Sequence, residues 1–143
     1  KDSGGNAVSG TFITGSDGKL DVSGLSDGAY SGSFTISDST ADTLINISDV
    51  GISLDIVVGL ANSPTNNQKA AADVNGDGVI NISDVGLILD MAVGLKDTGA
   101  GVVRDASVSN PLTTQAFSVS SGTDLNLNAY ILGDVDGTYA TIL

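Results

Sequence analysis

The sequence contains no cysteine, no histidine and no tryptophan, and its acidic residues include no glutamate. Without cysteine there can be no disulfide and no thiolate nucleophile or metal ligand. Without histidine the commonest general base is missing. Asp, Tyr, Lys and Ser alone remain for acid–base or nucleophilic work. No G-x-S-x-G elbow or phosphate-cradling glycine loop accompanies them, so an enzyme is not expected. Aromatic residues are scarce, three Tyr and three Phe, which argues against a sugar-binding platform. Tyr30, Tyr130 and Tyr139 read more simply as core residues of a sheet. No apolar run approaches the length of a membrane span, so membrane insertion is not expected.

Asp is abundant. All 17 acidic residues are Asp, against five Lys and Arg, for a formal net charge of −12 over 143 residues. Such a chain is repelled by nucleic acid and by anionic membranes, and the natural partners of so many short carboxylates are cations. Gly, Ser, Thr, Asn and Asp dominate the polar positions, which favours turns and strands over long surface helices. Together with the absence of cysteine, this predicts an extracellular or cell-surface module held by metal rather than by disulfides. The chain reads as a piece of a longer protein.

A repeat lies in the middle. Ile45-Asn46-Ile47-Ser48-Asp49-Val50-Gly51 recurs 35 residues later as Ile80-Asn81-Ile82-Ser83-Asp84-Val85-Gly86, and Leu54-Asp55 and Val58-Gly59-Leu60 recur as Leu89-Asp90 and Val93-Gly94-Leu95. A period of this size marks a duplicated supersecondary unit. After each shared Asp the apolar residues fall at helical spacing: Val50, Leu54, Val57 and Val58 on one face, and Val85, Leu89 and Val93 on the corresponding one. Ile52, Ile56, Leu87 and Ile88 widen the stripe, so the two helices are expected to pack together. The alternative is a pair of buried strands. Gly51, Gly86 and the β-branched residues make these poor isolated helices, so packing and metal must hold them.

Residues 73–84, Asp-Val-Asn-Gly-Asp-Gly-Val-Ile-Asn-Ile-Ser-Asp, fit a twelve-residue calcium loop. Asp73, Asn75 and Asp77 supply side-chain oxygens at positions one, three and five, and Val79 its carbonyl at seven. Asn81 at nine binds directly or through water, and Asp84 at twelve closes the shell. Gly78 at position six permits the sharp turn. The preceding copy is Asp38-Ser39-Thr40-Ala41-Asp42-Thr43-Leu44-Ile45-Asn46-Ile47-Ser48-Asp49. There the ligands are Asp38, Thr40, Asp42, the Leu44 carbonyl, Asn46 and Asp49. Thr43 replaces the glycine at position six and is poorly suited to a positive φ. Two Ca2+ sites are therefore predicted, with 73–84 the stronger and 38–49 either weaker or vestigial.

Both flanks read as short strands with turns between them. Val8, Gly10 and Phe12 alternate with polar residues, followed by a turn at 16–19, Leu20 and Val22, a turn at Asp27-Gly28, and then Tyr30, Phe34 and Ile36. Val103, Val108, Phe117, Val119 and the run 125–128 continue the style. Neither flank is self-sufficient as a sheet. The expected fold class is α+β: an antiparallel β-sandwich formed by residues 1–37 and 98–143, with 38–97 inserted between two of its strands. Gly133-Asp134-Val135-Asp136-Gly137 reads first as a plain hairpin turn, and otherwise as a third cation site formed with a flanking loop of a neighbouring module.

Residues 38–95, about 40 % of the chain, resemble a type I dockerin, the duplicated loop-helix module that docks cohesins in cellulosomes. The carriers are the motif at 73–84, its degenerate partner at 38–49, Asp at position twelve and Ala70-Ala71-Ala72 ahead of Asp73. The resemblance implies calcium ligands at Asp73, Asn75, Asp77, Asn81 and Asp84 and at their counterparts in the first loop. Where the family presents hydroxyl residues for its partner, this chain has Ile47-Ser48 and Ile82-Ser83, followed by Leu54-Asp55 and Leu89-Asp90. Residues 17–25 with 27–30 are similar to immunoglobulin-like repeats of bacterial surface proteins and adhesins. Two functions are thus expected. The first is a calcium-rigidified structural module of a large bacterial surface protein, in contact with its neighbouring modules. The other is a docking module for a cohesin-like protein in a cellulosome-like or polysaccharide-degrading assembly.

Overall fold

The computed structural model describes residues 2, 4, 6, 8, 11–14, 20–23, 25–34, 44–97, 101–105, 116–120 and 127–138. The fold is mixed α+β, with strands before and after a helical centre. Strands β1 (Thr11–Thr14) and β2 (Leu20–Ser23) form a two-stranded antiparallel ribbon in which Phe12 stands opposite Val22. Strands β3 (Gly28–Phe34), β4 (Gly101–Asp105), β5 (Ala116–Val119) and β6 (Leu127–Ile131) run antiparallel in the order β5-β3-β4-β6. Strand β3 pairs with β5 over 28–31 and with β4 over 32–34. Segments from both sides of the helical centre therefore share hydrogen bonds. The described residues show no β-sandwich. Ile36, Val108, Leu125 and Tyr139 lie outside them.

Tyr30 and Phe117 are buried and stack with ring centroids 6.3 Å apart, and the Tyr30 hydroxyl donates to Ser26 O at 2.8 Å. A buried aromatic with a satisfied hydroxyl fixes the strand pair without leaving an orphaned polar group.

The repeat forms helices α1 (Ile47–Val57) and α3 (Ile82–Ala92), which pack against each other. Both are capped alike. Asn46 Oδ1 accepts from Ser48 N and Asn81 Oδ1 from Ser83 N, each at 2.8 Å. Asp49 and Asp84 reach back to Asn46 N and Asn81 N at 2.9 and 3.0 Å. Each such box is worth on the order of 1 kcal/mol. Because the caps turn Asp49 and Asp84 fully inward, they also set the phase of each helix. The buried face of α3 is Val85, Ile88 and Met91, whereas Leu89 and Val93 stay exposed, as do Leu54 and Val58 on α1. The expected face holds at Val85 and misses at Leu54 and Leu89, since spacing alone leaves the phase free and the cap decides it.

Between these helices lies α2 (Asn66–Ala72), with Thr65 and Gln68 forming its capping box. Its small residues Ala70, Ala71 and Ala72 are buried and let the backbone approach the rest of the core. One apolar cluster joins them to Ile45, Ile88 and Met91 from the repeat and to Val102, Tyr130 and Val135 from the sheet and the segment after it. The helical centre and the C-terminal strands thus share a core.

Candidate functional site

The segment between α2 and α3, residues 73–81, folds as a ladder of side-chain-to-backbone hydrogen bonds. Asp73 Oδ2 accepts from Gly78 N at 3.1 Å, Asn75 Oδ1 from Asp77 N at 2.8 Å and Asp77 Oδ1 from Val79 N at 2.8 Å. Asn75 N donates to Asp84 Oδ1 at 3.2 Å, which ties position three to position twelve. Asn75 Nδ2 lies 2.9 Å from Asp77 Oδ2 and Asn81 Nδ2 3.1 Å from Val79 O, so the expected ligands are neighbours in space. Gly76 and Gly78 sit at φ +71° and +84°, where an L side chain is strained, as position six requires. Hydrogen bonds thus link Asn75 to Asp77 and Asp84, Asn81 to Val79 and Asp84, and Asp73 to Gly78.

Two features point to a cation. Asp73 is only 6 % exposed, and its Oδ1 is the one buried side-chain oxygen among the described residues with no hydrogen-bond partner. A buried carboxylate oxygen without a donor costs free energy unless something positive meets it. Burial, followed by the charges of Asp84 and Asp77, pushes the Asp73 pKa above its ordinary 3.8 despite the Gly78 N–H. The donors are all oxygens, from carboxylates, amides and a carbonyl, the set that a hard cation such as Ca2+ prefers.

The first repeat differs. Leu44, Asn46 and Asp49 are described, whereas Asp38, Thr40 and Asp42, the first half of the expected loop, lie outside the described residues. Against Asp49 stands the segment after β6. Asp136 N donates to Asp49 Oδ1 at 2.9 Å, and Thr138 Oγ1 donates to Leu44 O at 3.3 Å. Thr138 N and Oγ1 both donate to Asp134 Oδ1 at 3.0 Å, and Thr138 N also to Asp136 Oδ1. Asp49, Asp134 and Asp136 each offer a carboxylate oxygen within 4.8 Å of the others, and this cluster could hold a metal ion. Burial, with the Asp136 charge as a lesser cause, raises the Asp49 pKa, while backbone N–H groups of Asp136 and Asn46 oppose the rise.

The two arrangements correspond. Asp136 N meets Asp49 as Asn75 N meets Asp84, and Gly137 at φ +75° stands where Gly76 stands at +71°. Asp134-Val135-Asp136-Gly137-Thr138 thus faces Asp49 as Asp73-Val74-Asn75-Gly76-Asp77 faces Asp84. Among the described residues no strand follows to make 133–137 a hairpin; the segment folds back so that its two carboxylates stand beside Asp49. What the spacing of the repeat did not reveal is that Asp49 is the third member. The D-x-D-G pattern at 134–137, so like the start of 73–84, was the available signal.

A shallow cavity of about 280 Å³ opens beside this cluster, lined by Thr65, Asn67 and Gln68 of the α2 start and by Tyr130, Asp134 and Asp136. No helix among the described residues is long and apolar enough to cross a membrane.

Fold and site together define an α+β protein with clustered Asp side chains on capped helix starts. No family model matches the chain, and neither does any curated protein or solved structure.

Proposed function

We propose that this chain is a calcium-binding structural module of an extracellular or cell-surface bacterial protein, related to dockerins in its repeat, in which the ion orders the helical centre between two parts of an immunoglobulin-like sandwich. The buried, unpartnered Asp73 Oδ1 carries this reading. Asp73, Asn75, Asp77, Asn81 and Asp84 would hold the ion, with the Val79 carbonyl. A second ion would lie against Asp49, with the Leu44 carbonyl, Asn46, Asp134 and Asp136 available from the described residues. The ion's role is electrostatic: two dications take the formal charge from −12 to −8 and relieve repulsion among the carboxylates. An ion held only by the folded loops stabilises the fold by mass action, about 4 kcal/mol at a thousandfold excess over Kd.

Calorimetric counting of bound Ca2+, paired with thermal unfolding in calcium and in chelator, tests this. Two ions and a single transition raised by calcium are expected. An unfolding midpoint indifferent to both additions sinks the proposal.

A docking function is favoured by one observation. Ile47, Leu54, Val58 and Leu60 are exposed, and so are Ile82, Leu89, Val93 and Leu95, the same four positions one repeat later. Exposed apolar residues in two matching sets suit recognition by a cohesin-like partner better than they suit solvent. Recovery of the chain on immobilised cohesins would favour this reading over the purely structural one.

A further inference from the structure

Beyond β6 the chain enters the helical centre directly. Gly133 N donates to Ala71 O at 2.8 Å, and Asp136 N and Thr138 Oγ1 bond to Asp49 and Leu44. Ile131 and Val135 are buried completely. At Gly133 no side chain fits: φ is +98°, and a Cβ there would stand 2.7 Å from Ile45 Cδ1 and 3.1 Å from Met91 Sδ. This one turn therefore touches the approach to α1, the end of α2 and the last part of α3. A close-packed seat of this kind is occupied or vacated as a unit, because interiors do not deform continuously.

We propose that residues 132–138 are a latch joining the sheet to the calcium-binding repeat, so that calcium held at 73–84 is felt in β4 and β6. The transmission through calcium rests on the function proposed above, whereas the seat itself does not. Asp84 caps α3 and closes the 73–84 loop. Ordering that loop fixes α3, whose Met91 forms one wall of the Gly133 seat. The seated turn then holds the end of β6, which pairs with β4 from Gly101↔Ile131 to Asp105↔Leu127. Loop, helix, turn and sheet form one chain of rigid contacts.

Amide hydrogen exchange on the full chain, in calcium and in chelator, tests the latch with wild type, Gly133→Ala, Ile45→Val and the double variant. Ile45→Val removes Cδ1, the atom nearest the new methyl. In wild type, calcium should slow exchange about tenfold or more at Val102, Val103, Tyr130 and Ile131 as well as in α3. In Gly133→Ala the slowing should persist in α3 and vanish in β4 and β6, and Ile45→Val should restore part of it. Equal calcium responses of β4 and β6 in wild type and Gly133→Ala overturn the latch, as does a wild-type response confined to α3. If calcium affects no amide in any variant, the calcium reading has failed instead. The latch is then judged in chelator: non-additive losses of protection for the Gly133–Ile45 pair support the seat, and additive losses overturn it.

Discussion

The two copies of the repeat begin their helices in the same way, but the described partners of their position-twelve Asp lie at different distances along the chain. In the second copy, Asp73 through Asp84 are consecutive, and every hydrogen bond of the ladder is local in sequence. In the first, Asp49 receives its partner N–H from Asp136, 87 positions away. A twelve-residue calcium loop is a set of oxygen positions around a helix start, and chain continuity is only one way to supply them. The cost of the discontinuous arrangement is the entropy of closing a long loop, which grows slowly with length. It is offset here by the burial of Ile131 and Val135.

Replacing position twelve should have the largest effect and should separate the copies. Asp84→Ala leaves the part-buried Asn75 N and Asn81 N without their acceptor, at about 1 kcal/mol each, and removes one of the proposed calcium ligands. The ion count should fall by one, and the midpoint in calcium should drop by roughly ten degrees or more. Asp49→Ala orphans Asn46 N and Asp136 N, so it should also release the turn at 133–138. Hydrogen exchange at Gly133 and Asp136 reads this directly. Protection there should be lost in Asp49→Ala with or without calcium, whereas in Asp84→Ala it should fall only to the level that wild type shows in chelator. Identical footprints for the two variants would mean that the copies are equivalent after all.

The second comparison pits the two candidate halves of the first site against each other. Asp134→Asn with Asp136→Asn should abolish one bound ion, whereas Asp38→Asn with Asp42→Asn should leave the count unchanged. Calorimetry decides between them. The reverse result would return the site to the contiguous 38–49 loop read from the repeat.

This contrast also marks how far the sequence could be read. The hydrogen-bonded loop at 73–84 and its turn at Gly78 are legible because loop geometry is written in consecutive residues. The two repeat helices and the strand runs at 11–14, 20–23 and 28–34 were legible from periodicity. Helix α2 has a local signal in Thr65-x-x-Gln68, which spells its capping box, but its seven residues carry too little periodicity to stand out. The burial of Asp49 and Asp84 at the first turn, and hence the exposure of Leu54 and Leu89, depends on cap geometry that a hydrophobic pattern does not encode. The approach of 133–138 to Ile45 and Asp49 is a tertiary contact with no local signature beyond the D-x-D-G pattern.

Acidity should weaken both sites, in a window set by the raised carboxyls. In the calcium-free fold Asp73 and Asp49 hold their protons more tightly than the ordinary 3.8 implies. The stability they contribute is present below 3.8 and is lost as pH rises through their raised values. Calcium requires the ionised forms, so its affinity should climb through the same window and level off above it. The gap between the midpoints with and without calcium should therefore widen as pH rises from about 4 and then stay constant. A gap independent of pH across that interval would show that neither buried Asp is a ligand.

The smallest expected effect on stability separates the structural from the docking reading. Leu54 and Leu89 hold corresponding places in α1 and α3, and each is 40 % exposed. Leu54→Ser and Leu89→Ser should each change stability by no more than about 0.5 kcal/mol, the usual range for surface positions. Neither should alter the calcium count, because neither is a predicted ligand. If the face serves only as solvent-exposed surface, the double variant should be indistinguishable from wild type in every binding assay and slightly more soluble. If the face docks a cohesin-like partner, truncating apolar contacts at its centre should weaken capture by tenfold or more, on the order of 1–2 kcal/mol. Surface plasmon resonance on immobilised cohesins, with calcium present throughout, measures that difference. A loss of capture at unchanged calcium stoichiometry would place recognition on these helices and leave ion binding as its structural precondition.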